Sequence, residues 1–231
     1  VVVDGGNLAA YLAQLLETPS GAGDGDEADS LMRAAATVVA AGGIAELQPT
    51  LLARLASDAM AQWIEGLLAR FPDRIGPRLP ALLQHPDGDV RTGALRVGAF
   101  GPAELSLVVE QLGDTHLPVR TAACLALGRI GLDAVAPLLL ERLRNGEPPE
   151  QAAAAQGLAR LSTDALAELG ACLAPEASET VVVEALGVLA RTPVPLLETR
   201  VLQLTESPSA GVRLAALRAA SRAPGSRPEV A

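Results

Sequence analysis

Apolar and small residues recur along this chain on two superposed periods. Over short stretches they fall three and four positions apart, which places them on one face of a helix. Over longer stretches the same pattern returns every 29 to 31 residues. With Leu31, Met60, Val90, Val119, Glu150, Val181 and Val212 as register marks, the steps are 29, 30, 29, 31, 31 and 31. Four residues after each mark stands Ala35, Ile64, Ala94, Ala123, Ala154, Ala185 or Ala216. Nine residues after stands Ala40, Ala69, Ala99, Gly128, Ala159, Ala190 or Ser221, always small. A fixed period of this length predicts stacked units, each burying its apolar face against its neighbours. Val and Ile never alternate with polar residues over a strand-length run, so the prediction is all-α.

Each period reads as two helices. In the most regular unit, helix A spans residues 118–131 and places Val119, Ala123, Ala126 and Leu127 inward. Helix B spans residues 133–145 and places Leu139, Leu140 and Leu143 inward. Gly131 is a natural stop for helix A, because glycine enters the left-handed conformation cheaply. Asp133 is a natural cap for helix B. Leu55, Leu83, Leu112, Leu143, Leu173 and Leu204 recur as the late anchor of helix B, and Pro49, Pro77 and Pro137 stand six residues earlier, near its start. Short polar turns such as QHPDGD and LGDTHLP join the units.

The ends differ from the array. Residues 7–17 read as an amphipathic helix, so residues 1–18 are expected to pack on the array as an N-terminal helix. Residues 19–30 read as a flexible, acidic, Gly-rich loop, whose Asp24, Asp26, Glu27 and Asp29 lack the Gly and distal Glu of a calcium loop. The repeats fill residues 31–222 and a tail follows at 223–231. After the last helix A comes PGSRPEVA, with no helix B. That arrangement predicts partly uncovered residues around Leu214 and Leu217, from an excised larger array or from an edge that meets a partner.

Composition sharpens the picture. Hydrophobic residues make up 49% of 231 while aromatics make up 2%, so Ala and Leu fill the interior. Net charge is −9 and every basic residue is Arg. A GC-rich genome accounts for that usage more simply than selection of Arg for bidentate recognition does. Residues 1–115 hold 15 acids against 7 Arg, whereas residues 116–231 hold 12 against 11. Such a balance argues against nucleic-acid and anionic-membrane partners. Cys124 and Cys172 lie in apolar helical contexts and read as reduced, buried thiols. No run is apolar and long enough to cross a membrane, so the expected location is the cytoplasm. His85 and His116 fall in turns between units, no metal-spaced or nucleophile motif occurs, and no metal, cofactor or catalytic residue is expected. Trp63 reads as a packing residue of a helix A.

HPDGDVRTGALRVGAFG and THLPVRTAACLALGRIGLDAVAPLLLERLRN resemble HEAT repeats, in particular the short HEAT-like type of the phycobilisome lyases. Val90-Arg91, Val119-Arg120 and Val212-Arg213 match the family's opening of helix A, while Gln151 and Val182 replace the Arg in two units. The resemblance covers residues 29–222. It implies a right-handed α-solenoid of about six to seven two-helix repeats, with the B helices on the concave face. The Arg residues that open helix A are expected to pair with acids in adjacent turns, such as Asp89 and Asp114. Arg70, Arg129, Arg160, Arg191 and Arg222 stand near helix A C-termini, where offsetting the helix dipole is favoured over an anion-binding stripe. HEAT-repeat hydroxylases use His-Glu pairs, which this chain lacks. HEAT-like DNA glycosylases use a basic, aromatic-bearing face, which the charge and the lone Trp63 do not supply.

What remains is surface. The candidate concave-face partner-binding residues are Arg74, Arg78, Glu104, Glu110, Gln111, Glu141, Arg142, Glu168, Arg200 and Gln203, with Cys172 counted in the same late row. The expectation is a non-catalytic scaffold that binds another protein, as part of a larger bacterial protein or complex. The alternative is a lyase-like or chaperone-like subunit acting on a tetrapyrrole-bearing or other protein, against which the scarcity of aromatics speaks. A stable coloured adduct with bilin would discriminate the two. The sequence leaves the partner's identity and the oligomeric state open.

Overall fold

The structure, a computed structural model, describes residues 13, 30, 33–38, 48–57, 66–68 and 76–222. The helix expected at 7–17 (apart from Ala13), the loop at 19–30 (apart from Ser30), the marks Leu31 and Met60, Trp63, Arg70, Arg74 and the tail lie outside them. All regular secondary structure among the described residues is helical. The architecture of the described residues is all-α. The chain divides into two compact units, Val1–Ala123 and Cys124–Ala231.

The first unit holds α1 (Gln48–Ser57), α2 (Leu79–Leu83), α3 (Gly88–Val97), α4 (Leu105–Glu110) and the start of α5 (Leu117–Ile130). Pro80 sits in the first turn of α2, where its missing N–H is not needed. Asp87 caps α3 by accepting from the Asp89 N–H at 2.9 Å. Leu51 and Leu52 of α1 and Ala94 and Leu95 of α3 are fully buried.

Helix α1 packs directly on α3. An even array would place α1, as the helix B of the unit marked by Leu31, beside the unit that follows it rather than beside the unit marked by Val90. The close approach depends on Gly93: a Cβ there would lie 2.2 Å from the Leu52 carbonyl oxygen. The 30-residue register therefore overstates the regularity of this region.

The second unit stacks helix pairs with greater regularity. It holds the rest of α5, then α6 (Ala136–Asn145), α7 (Pro148–Leu158), α8 (Glu179–Arg191), α9 (Glu198–Leu204) and α10 (Ala210–Ala220). Gly131 ends α5 at φ 69°, as its position predicts. Leu139, Leu140 and Leu143 of α6 are all buried. Between α7 and α8 the expected helix B is a seven-residue 3-10 run, Ala167–Leu173, which buries Leu169, Cys172 and Leu173. Cys172 is thus core and does not belong to an exposed row.

The fourth residue after each described register mark is fully buried: Ala94, Ala123, Ala154, Ala185 and Ala216 are all at 0% exposure. Small side chains there let helices approach closely. The ninth residue is small for a less uniform reason. A Cβ on Gly128 of α5 would lie 2.3 Å from the Gly157 Cα of α7, so this crossing is backbone against backbone. Ala99 and Ser221, at the same register, are exposed.

The Arg that follows the mark fixes the preceding turn. Arg91 Nη1 donates to the carbonyls of His85 and Pro86 at 2.6 and 3.0 Å. Arg120 Nη1 donates to those of Asp114 and Thr115 at 3.0 and 3.3 Å. Arg213 Nη1 donates to those of Ser207 and Pro208, both at 2.8 Å. In each case one guanidinium holds the carbonyls six and five residues back. The two units that lack this Arg keep a cap alone, whereas the helices bearing Arg91 and Arg213 have both the Arg and a cap. Glu147 and Glu150 form a capping box at the start of α7, and Ser178 Oγ accepts from the Val181 N–H at 3.3 Å at the start of α8.

Candidate interaction surface

The turn chemistry also ties neighbouring repeats together. Arg91 grips Asp114 with two hydrogen bonds, Nε to Oδ2 at 2.7 Å and Nη2 to Oδ1 at 2.9 Å. Of the two acids expected as partners, Asp114 is the one engaged; Asp89 lies in the first turn of α3. Burial opposes the Asp114 carboxylate. The Arg91 hydrogen bond, the His116 N–H at 2.8 Å and the nearby positive charge outweigh it and hold the group below the usual carboxylate range. The same bond to Asp114 raises Arg91.

Asp133 does not cap its helix as the sequence suggests. The 3-10 turn at Asp133–Val135 has no side-chain cap. Asp133 instead accepts from Ser162 Oγ at 2.7 Å and from the Ser162 N–H at 3.0 Å, bridging to the next repeat. Those two donors lower its pKa. Arg191, in the last turn of α8, adds a bond from Nη2 to the Ala155 carbonyl at 3.3 Å. Arg129 also lies in a last turn, whereas Arg160 and Arg222 lie in turns beyond their helices.

Several candidate partner-binding residues are occupied with such work. In the first unit, Glu104 Oε2 accepts from the Gly101 N–H at 2.9 Å and Arg78 is half-buried where α2 begins. Gln111 is half-buried and Glu110 is exposed. In the second unit, Arg142 Nε lies 3.1 Å from Glu141 Oε2, and its Nη1 lies 3.8 Å from the buried Glu150. Arg200 donates through Nε and Nη2 to the Leu173 carbonyl at 3.0 and 2.8 Å, and through Nη1 to Gln203 Oε1 at 3.2 Å. Arg200 therefore closes the end of the 3-10 run more than it presents charge. It also lines a groove of about 380 Å³ with Leu173, Pro175, Val182, Leu204 and Val212. Glu168 and Gln203 are exposed. Arg74 lies outside the described residues.

The position two residues before the helix B anchor is half-buried at Ala53 and exposed at Ala81 and Glu110 in the first unit, and at Glu141, Ala171 and Leu202 in the second. Leu202 is 56% exposed and Leu196, on the same final helix B segment, is 83% exposed. Neither leucine is polar, so neither stands out beside the charged and amide side chains that mark a surface in sequence. The register itself points to Leu202, which falls on the row of Glu141 and Ala171.

Cys124 and Cys172 are both unpaired and buried. Burial and the charge of Glu150 push the Cys124 thiol up to about 12, so it is protonated and unreactive. Among the described residues no group of three His, Cys, Asp or Glu side chains comes together to hold a metal ion. No helix among them is long and apolar enough to cross a membrane.

Residues 75–159 match a family model described as HEAT repeats. That segment runs from just before α2 to the end of α7 and begins after the irregular α1 region. No curated protein matches the chain. Among solved structures, one engineered protein is 17% identical, with a TM-score of 0.49, and the alignment covers 92% of this chain and 96% of that one. A designed armadillo repeat protein is also 17% identical, with a TM-score of 0.43 and coverage of 92% and 98%.

Proposed function

We propose that this chain is a non-catalytic, protein-binding repeat scaffold whose docking face is the exposed row on the helix B segments of its second unit. The observation that carries the proposal is a row within the second unit: Glu141, Ala171 and Leu202 recur at one register position and stay exposed. A row repeated once per unit suits a partner helix or extended segment that meets successive repeats. Leu196 and Leu202 supply the apolar component, and Glu141, Glu168 and Gln203 the polar one. The unpaired cysteines fit a reducing compartment such as the bacterial cytoplasm.

Photo-cross-linking from single positions tests the proposal. A photoreactive residue at 141, 171 or 202 should capture one common partner, and the same residue at Glu176, exposed but off the row, should not. Equal capture from position 176, or a stable coloured adduct after incubation with bilin, would replace the scaffold proposal with the lyase-like alternative or with an unspecific surface.

A further inference from the structure

A groove of about 180 Å³ opens between two consecutive helix B segments of the second unit. Pro137 and Leu140 of α6 form one wall. Ala165, just before the 3-10 run Ala167–Leu173, and Glu168, within it, form the other. Register explains the opening. Ala165 stands eight residues before the anchor Leu173, and Val135 stands eight residues before Leu143 in the preceding repeat. Val135 fills its site and is buried, whereas the smaller Ala165 leaves space beside α6. Both walls are already packed within the unit, α6 on α7 and the 3-10 run on α6 and α8. The groove therefore lies inside the stack and is not a face that a further repeat would cover.

The groove also has a sign. Every charged residue that lines it is an acid: Asp133, Asp164 and Glu168. The two Ser162 donors hold Asp133 in place and below the usual carboxylate range, so it stays ionised. Asp164 and Glu168 are exposed, and among the described residues no donor engages either carboxylate. Charges elsewhere on these segments are spent within the chain, as Arg142 is on Glu141 and Arg200 on the Leu173 carbonyl. Unspent carboxylates above Pro137 and Leu140 suit a cationic side chain with an aliphatic stem, which lays its methylenes on the wall and its charge among the acids. A second copy meeting this face through the same face would set acid against acid, which disfavours a symmetric dimer.

We propose that this groove takes an arginine or lysine side chain from a basic segment of a partner protein, an assignment that rests on reading these helix B segments as the docking face. The groove adjoins the exposed row. Residues three apart eclipse one another on a 3-10 run, which puts Glu168 in line with Ala171, and residues four apart are neighbours on α6, which puts Pro137 beside Glu141. The row gives the partner its path, and the groove gives it a required charge.

Fluorescence anisotropy with the intact 231-residue chain tests the proposal. The probe is a labelled peptide of alternating Arg and Ser. Binding should saturate, and Asp164→Asn together with Glu168→Gln should weaken it at least about tenfold, equivalent to about 1.4 kcal/mol. Glu176→Gln together with Glu206→Gln removes the same charge from exposed positions outside the groove and should change the affinity less than about twofold. Ala165→Leu keeps every charge but fills the groove, and should weaken binding at least about fivefold. The same peptide with neutral citrulline for Arg should bind at least about tenfold more weakly. Circular dichroism should confirm that the variants stay folded; the exposed acid pair decides the matter if Ala165→Leu does not. Absence of saturable binding, equal weakening by the two acid pairs, or full affinity in a folded Ala165→Leu variant would overturn the proposal. Common capture from positions 141, 171 and 202 with full probe affinity in the Asp164 and Glu168 variant would keep the docking face and remove the basic anchor. Probe binding that needs the groove, without common capture from those positions, would keep the anchor and remove the row.

Discussion

Helices α8 and α10 share one register and differ in what covers them. Ala185 and Ala216, four residues after their marks, are both fully buried. One residue later they diverge, with Leu186 fully buried and Leu217 more than half exposed. The face toward the preceding helix A is thus complete in both, and the face toward a following one is complete only in α8. Keeping Leu at the open position leaves apolar surface in water, and that surface is worth roughly 25 cal/mol per Å² to whatever buries it. The comparison separates positions that hold the array together from positions left open.

The largest effect that probes this comparison lies where helices touch through backbone. Gly128→Ala would put a methyl against the Gly157 Cα, where no side chain can move aside. The expected cost is about 3 kcal/mol or more, read from urea unfolding. Ser221→Ala at the same register of the open helix should stay within about 0.5 kcal/mol. If both substitutions are tolerated, the α5–α7 crossing is looser than described.

Overpacking the shared buried face should come next. Ala185→Leu and Ala216→Leu should each cost about 1–3 kcal/mol, because both sites are closed. A neutral Ala216→Leu would mean that α10 is loosely docked and that its open face reflects a frayed helix.

The turn ties rank third. Asp114→Ala leaves the Arg91 guanidinium without its carboxylate and should cost about 1–2 kcal/mol in thermal or urea unfolding. The pH dependence has a definite sign. Because the folded state holds the Asp114 carboxyl below its ordinary range, its contribution is present above that range and fades as pH falls through and below it. Asp114→Asn should therefore flatten the acid limb of the stability profile. An unchanged acid limb would show that this ion pair does not set it.

Much of the fold was legible because helical spacing and a 30-residue period rest on packing that repeats. The bounds of α5 and α6, the stop at Gly131 and the buried Val119, Ala126 and Leu127 all follow from that pattern. The period alone could not show that α1 meets α3, since Gly93 permits the contact through absence of a side chain. Nor could it show that Asp133 bonds Ser162, because a capping residue and a bridging residue look alike in sequence. The candidate surface was legible only in part. Polar identity selected Glu110 and Glu141 correctly as exposed, yet it also selected Arg200, whose charge is spent on a carbonyl, and passed over Leu202. Exposure follows from register position, and polarity is a weaker guide to it.

Leu186→Ala and Leu217→Ala, unfolded side by side in urea, test the central distinction most directly. The buried leucine should cost about 2–5 kcal/mol and the exposed one less than about 1 kcal/mol. Equal losses would contradict the account, since they would mean that the α10 face is covered within the chain as fully as that of α8.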